Sequence, residues 1–284
     1  MSVKYVGYRL AKWLSTILSP AAAFACAERL ADLRWRCAAD DRAAVETNLS
    51  VLLGGELPEQ PRFVREVFRN FGRYLVEFFT IQRIGQPQVT VDGYDHLVTA
   101  LNRRRGVIVL TAHLGNWEVG AALIRRMGHP VAAVALPHAD PQMDRLFNRQ
   151  RQRCGIEVIG LGRDAVRRSL QTLQAGRLLG ILGDREFADN GLPLPFGGGM
   201  MTLPKGPALL SLRGRAPIVP TFLMREGSWR FRLCFEPPIW PPLSDRGAGS
   251  LRMLIRSYAA SIERYVKRFP EQWLMFRPAL TTVS

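Results

Sequence analysis

From residue 107 onward, short apolar runs alternate with longer amphipathic stretches. The runs at 107–112, 131–136, 178–183, 217–223 and 230–236 are strand-like, and helical spacing covers 117–127, 140–154, 163–175 and 204–214. A short run rich in β-branched residues, such as Val107-Ile108-Val109-Leu110, reads as a strand buried on both faces. This alternation predicts a mostly parallel sheet flanked by helices. Residues 230–236 alternate polar and apolar, as a half-exposed edge strand does. Residues 250–268 read as a last amphipathic helix. Upstream, residues 40–83 read as two helices joined at Gly54-Gly55 and Pro58. The second has one apolar stripe, Phe63, Val67, Phe71, Leu75 and Phe78, which reads as core. Arg62, Arg65, Arg69 and Arg73 form a second stripe, either a solvated face or one turned to a membrane or carrier protein.

The N-terminal pattern is different. Lys4, Arg9 and Lys12 precede fifteen uncharged residues, 13–27. A spanning helix needs about 20 apolar residues, and this run is shorter and contains Pro20. Two readings remain. One is a signal peptide ending at Ala25-Cys26-Ala27. The other is a retained interfacial helix with Trp13 at headgroup level and cations beside anionic lipid.

Charge narrows the partners. Lys plus Arg number 39 against 24 acidic residues, a net +15 over 284 residues, which implies an anionic partner. No zinc-ligand spacing and no RNA-stacking motif is present, so an anionic membrane surface or an acidic protein fits better than nucleic acid. With 47% hydrophobic residues the chain can bury a sizeable core, as one large α/β domain or two small ones. Cys26, Cys37, Cys154 and Cys234 are scattered beside apolar residues and read as reduced packing residues. There is no Walker loop and no GxSxG elbow, and the pattern calls for no metal or cofactor.

The candidate chemistry lies in the stretch 106–120, GVIVLTAHLGNWEVG. It reads as strand, tight loop and helix, with Asn116 as N-cap and Glu118 in the first helical turn. His113 then stands at the carboxyl end of a strand, where open α/β sheets bind ligands. On one helix a His and a Glu five apart would not share a face, but across this corner the carboxylate can reach the ring. A carboxylate on one ring nitrogen fixes the tautomer, so the other can take a proton from a hydroxyl. A buried His hydrogen-bonded to a helix-capping Glu, with no chemistry, is the alternative.

His113-Leu-Gly-Asn-Trp-Glu118 resembles the HxxxxD/E motif of glycerolipid and lipid A acyltransferases, in the form found in late lipid A and phosphatidylinositol mannoside acyltransferases. Further stretches resemble that family in order: Asn48-Leu49, residues 68–73, Asp184-Arg185-Glu186, residues 195–198, residues 203–207 and Glu271-Gln272-Trp273. They run from the first helices to the last. The resemblance implies a retained N-terminal membrane helix (residues 1–35) ahead of one α/β acyltransferase domain (36–284) with a mostly parallel central sheet. It implies acyl carrier protein or acyl-CoA as donor, a lipid acceptor, and the cytoplasmic face of the inner membrane. It also implies an active-site Arg before Gly155: Arg151 fits by spacing, with Arg149 its competitor.

Asp184, Arg185 and Glu186 follow a strand-like run and so belong on the same rim as His113. They can orient the His, hold the Arg or contact the acceptor, and either Glu118 or Glu186 completes the dyad. The Gly-rich 195–199 and 203–207 read as loop material, with Lys205 near a helix start suited to an anion. No Ser or Cys neighbours His113 as a nucleophile, which argues against an acyl-enzyme. The expectation is a His-based O-acyltransferase, with a non-catalytic basic peripheral membrane protein on the same scaffold as rival.

Overall fold

The computed structural model describes residues 3–55, 60–82, 87–187, 189–243 and 247–282. Pro58, expected in a helix junction, lies outside the described residues. Four helices open the chain: α1 (Val3–Ile17), α2 (Pro20–Cys37), α3 (Ala39–Leu53) and α4 (Gln60–Thr80). The apolar run 13–27 is therefore divided between two helices. Its break is set by Ser19, whose hydroxyl accepts the Ala22 N–H, and by Pro20 at the first position of α2. No described helix is long and apolar enough to cross a membrane.

Then β1 (Gln88–Asp92), α5 (Tyr94–Leu101), β2 (Val107–Thr111), α6 (Trp117–Arg126), β3 (Val131–Ala135), α7 (Pro141–Arg153), β4 (Glu157–Gly160), α8 (Ala165–Gln174) and β5 (Leu178–Leu182) follow. After β6 (Leu192–Phe196), β7 (Gly199–Leu203) and α9 (Gly206–Gly214) come β8 (Ile218–Gly227), β9 (Arg230–Phe235), α10 (Ala248–Arg268), a 3-10 turn (Pro270–Gln272) and β10 (Leu280–Thr282).

Seven strands form the main sheet in the order β1-β9-β8-β2-β5-β3-β4. From β8 to β4 it is parallel, and β9 enters antiparallel to β8. The expected α/β class and mostly parallel sheet with flanking helices are what the chain forms. β2 sits centrally, with four of its five residues buried, as its unbroken apolar run requires. Its alternate residues serve two cores. Ile108 and Leu110 join Leu179, Ile218 and the α10 residues Leu254 and Tyr258. Val107 and Val109 join Leu178, Val219 and the α6 residues Val119 and Leu123.

Connections leave β2 and β5 in opposite directions. The chain goes from β2 to β3 on the β4 side, and from β5 onward to β8 on the β1 side. The crevice between the carboxyl ends of β2 and β5 is thus a switch point of the sheet.

Two segments differ from their sequence reading. Residues 195–199 belong to the hairpin β6–β7, which with β10 makes a small antiparallel sheet. Its glycines admit the chain's own backbone: a Cβ on Gly199 would lie 2.3 Å from the Thr281 carbonyl oxygen. Arg65, Arg69 and Arg73 of the α4 stripe are paired within the molecule, and Arg62 is exposed. Arg65 and Arg69 both bind Asp32 of α2, at 2.5 and 2.8 Å, and Arg73 binds Glu28 of α2 at 2.8 Å. The stripe fastens α2 to α4.

Candidate functional site

β2 delivers His113 and β5 delivers Asp184 to the same crevice. The strands pair in register up to Thr111 and Leu182, and the Gly183 N–H donates to the Thr111 carbonyl at 2.8 Å. One step further, His113 Nδ1 and Asp184 Oδ1 are 2.8 Å apart. The His113 backbone N–H donates to Asp184 Oδ2 at 2.9 Å, and the Trp273 indole N–H donates to the same oxygen at 3.1 Å. Asp184 is fully buried. Burial pushes its carboxyl up, but His113 and these three N–H partners outweigh it and hold the carboxyl below its ordinary range. With Asp184 ionised, Nδ1 carries the ring proton and donates it, and Nε2 keeps a lone pair. Arg185 Nη1 lies 3.4 Å from Nε2, and the Trp117 ring meets the imidazole edge-on at 5.0 Å.

The loop after β2 is a fitted piece. Gly115 takes φ +61°, and a Cβ there would lie 1.9 Å from the Leu223 carbonyl oxygen, so only glycine passes. The Gly115 N–H donates to the Gln272 carbonyl and the Leu274 N–H to the His113 carbonyl. Asn116 caps α6: its side-chain oxygen accepts the Val119 N–H at 3.2 Å, and its amide donates to Glu77 at 2.7 Å. Glu77 is itself clasped by Arg225, at 2.6 Å on both oxygens. Asn116 is fully buried and spent on protein partners.

Glu118 occupies a different place from the imidazole. Its carboxylate accepts from Arg151 Nε at 3.0 Å and from Nη2 at 2.5 Å, and Asn148 accepts from Nη1 at 2.8 Å. Burial works against the Arg151 charge, yet Glu118 beside it outweighs this and raises its pKa. Of the two candidate arginines, Arg151 is the one held at the site, while Arg149 is exposed on α7. Glu186 accepts the Phe187 backbone N–H at 2.8 Å. Lys205 is half-buried at the N-cap of α9.

Of the residues singled out in the sequence, His113, Glu118, Arg151 and Arg185 line a cavity of about 710 Å³, and Asn116, Asp184, Glu186 and Lys205 are not in its lining. One arm runs under α6, between Val109, Gly120, Ala121, Ile124 and Leu223. A volume of this size with apolar walls and few converging polar groups is what a small-molecule or lipid site looks like. Among the described residues no cluster of acids, histidines and cysteines could hold a metal. The cysteines are free, and burial pushes the Cys154 thiol up to about 11 and the Cys234 thiol upward.

Sequence reasoning did not assign three contacts of this constellation. Asp184 was placed on the correct rim but not on the ring nitrogen. Trp273 belonged to a recognised stretch with no assigned contact. Glu77 and Arg225 carried no signal, since a buried ion pair between a helix and a strand 148 residues apart has no local pattern.

The chain is 26% identical over 242 residues to a phosphatidylinositol mannoside acyltransferase of Mycolicibacterium smegmatis, covering 81% of this chain and 77% of that protein. It is 27% identical over 228 residues to the lipid A biosynthesis palmitoleoyltransferase of Escherichia coli K12, covering 76% and 70%. The crystal structure of the 1-acyl-sn-glycerophosphate acyltransferase of Thermotoga maritima aligns with a TM-score of 0.42 at 12% identity, over 90% of this chain and 99% of that one. Residues 5–282 match the family of bacterial lipid A biosynthesis acyltransferases, and the chain belongs to that family, an acyltransferase acting on lipids.

Proposed function

We propose that the protein transfers a fatty acyl group from an acyl thioester to a hydroxyl of a lipid A precursor or related glycolipid or lysophospholipid. The observation that carries this reading is the His113–Asp184 pair at the carboxyl ends of β2 and β5, facing an apolar cavity. His113 Nε2 takes the acceptor's hydroxyl proton while that oxygen attacks the thioester carbonyl. The C–O bond forms, the C–S bond breaks, and the proton passes from the imidazolium to the departing thiolate. Asp184 holds the tautomer and steadies the imidazolium. The oxyanion is met by backbone N–H groups or by Arg151, which Glu118 keeps fixed and charged. Arg185, which lines the cavity beside His113 Nε2, serves the acceptor. The arm under α6 takes the acyl chain.

Exposed Arg145, Arg149 and Arg153 recur at four-residue spacing on α7. Lys12 of α1 joins them: burial and then Arg153 and Arg149 depress its pKa. A cationic face of this kind suits an acidic acyl carrier protein better than free CoA. Val6, Leu10, Trp13 and Ile17 lie exposed along one side of α1, which supports α1 as an interfacial element. The cytoplasmic face of the inner membrane is where such a donor and such a lipid meet.

Replacing His113 with Ala should lower acyl transfer on the order of 100- to 10,000-fold, with unchanged melting temperature and vesicle binding. A folded His113→Ala protein that keeps most of its activity would overturn the mechanism and revive the non-catalytic reading. For the surface element, Trp13→Glu should weaken sedimentation with vesicles containing anionic lipid. Undiminished binding would remove α1 from that role.

A further inference from the structure

Between α1, α2 and α4 lies a second cavity, about 690 Å³. Its origin is visible in side-chain size. α2 rides so close on α4 that a Cβ on Gly72 would come within 2.9 Å of the Ala27 carbonyl oxygen. α1 is held at the far side of the groove, by Tyr8 edge-on to Phe147 of α7 and by Lys12 over the Phe79 ring of α4. The walls facing each other between α1 and α2 carry Gly7, Ala11, Ala23 and Ala27, and these cannot fill the gap.

The groove adjoins the site. Tyr8, Arg34, Phe71 and His138 line both cavities. Phe71 stacks on Tyr74 at 5.8 Å, Tyr74 on Trp117 at 4.6 Å, and Trp117 meets His113. The junction is polar while both volumes beyond it are largely apolar. Arg34 pairs with Asp41 at 2.6 Å and lies over the Phe71 and Phe276 rings. At its outer end the groove is bounded by Leu30, 48% exposed, on the same pair of helices as the bare stripe of α1.

Transfer from a thioester to a lipid brings two hydrocarbon chains into the protein at once. The arm under α6 houses one. We propose that the groove between α1, α2 and α4 holds an alkyl chain of the acceptor lipid, with the acceptor's polar head at the Tyr8–Arg34–His138 junction and its hydroxyl directed at His113. The proposal rests on the reading of the site as a lipid O-acyltransferase. On it, the N-terminal helices are a wall of the acceptor site as well as a surface element.

Photolabelling of the full chain tests this without turnover. Two probes carry a diazirine at the chain end: hexadecyl β-glucoside, for the acceptor, and a palmitoyl pantetheine thioester, for the donor. Peptide mapping should place the glucoside within 7–15 and 23–38 and the thioester within 109–124. Ala11→Trp, which fills the groove, should cut the glucoside label about tenfold or more and leave the thioester label and the melting temperature unchanged. The proposal is overturned if the glucoside labels only 109–124, if the thioester labels the groove instead, or if Ala11→Trp lowers both labels or neither. His113→Ala should label like the native protein, so loss of transfer and loss of the groove are read separately.

Discussion

Two buried carboxylates stand on the same rim of the sheet and do opposite things. Asp184 accepts three N–H groups, one of them from an imidazole whose other nitrogen faces the cavity. Glu118 is spent on a guanidinium. Both are nearly inaccessible, so burial does not distinguish them. Their partners do: a neutral ring can exchange a proton at working pH, whereas an arginine cannot. The carboxylate inside the HxxxxE spacing shapes the site, and the one 71 residues beyond His113 meets its ring.

Substitutions separate the pair. Asp184→Asn should have the largest effect, a loss of transfer on the order of 1,000-fold or more per folded molecule, because an amide can donate to Nδ1 and select the wrong tautomer. Steady-state kinetics with one thioester and one acceptor would show it. An Asp184→Asn enzyme within tenfold of native would make the two carboxylates equivalent. Glu118→Gln acts mainly on stability. It strands the buried Arg151 charge at a cost of about 3–5 kcal/mol, while the double variant Glu118→Gln/Arg151→Met should recover much of that. Denaturant titration decides, and a double variant no better than the single would contradict the pairing.

The smallest effect is in pH. The Asp184 carboxyl titrates lower folded than unfolded, so its contribution is complete above the unfolded value of about 3.9 and is lost as pH falls below it. Stability should therefore decline with acid below about pH 4, and less steeply in Asp184→Asn. Equal slopes would show that Asp184 is not held as an ion.

How much of this was legible can be told from single residues. The corner of β2 and α6 was, because an apolar run, a glycine, an N-cap and a helical stripe are local signals. Asp184 on the ring was not, since strand neighbours depend on the order in which a sheet winds, and β5 inserts between β2 and β3 without any mark in its own residues. The α4 arginines misled for a related reason: periodicity shows which residues share a face, while the acids that hold Arg65, Arg69 and Arg73 sit two helices earlier, on α2. The β6–β7 hairpin was read as loop because Pro193, Pro195 and three glycines hide its alternation.

Trp273 has a temporal consequence. It follows Asp184 by 89 residues, and Asp184 follows His113 by 71. On the ribosome, base and carboxylate emerge well before the indole that braces them and before Leu274, whose N–H ties down the His113 carbonyl. A nascent chain of some 200 residues would carry the dyad without its clasp, and contacts this far apart in sequence close slowly. The pairing of His113 with Asp184 is therefore braced only once Trp273 and Leu274 have been made, long after β2 and β5.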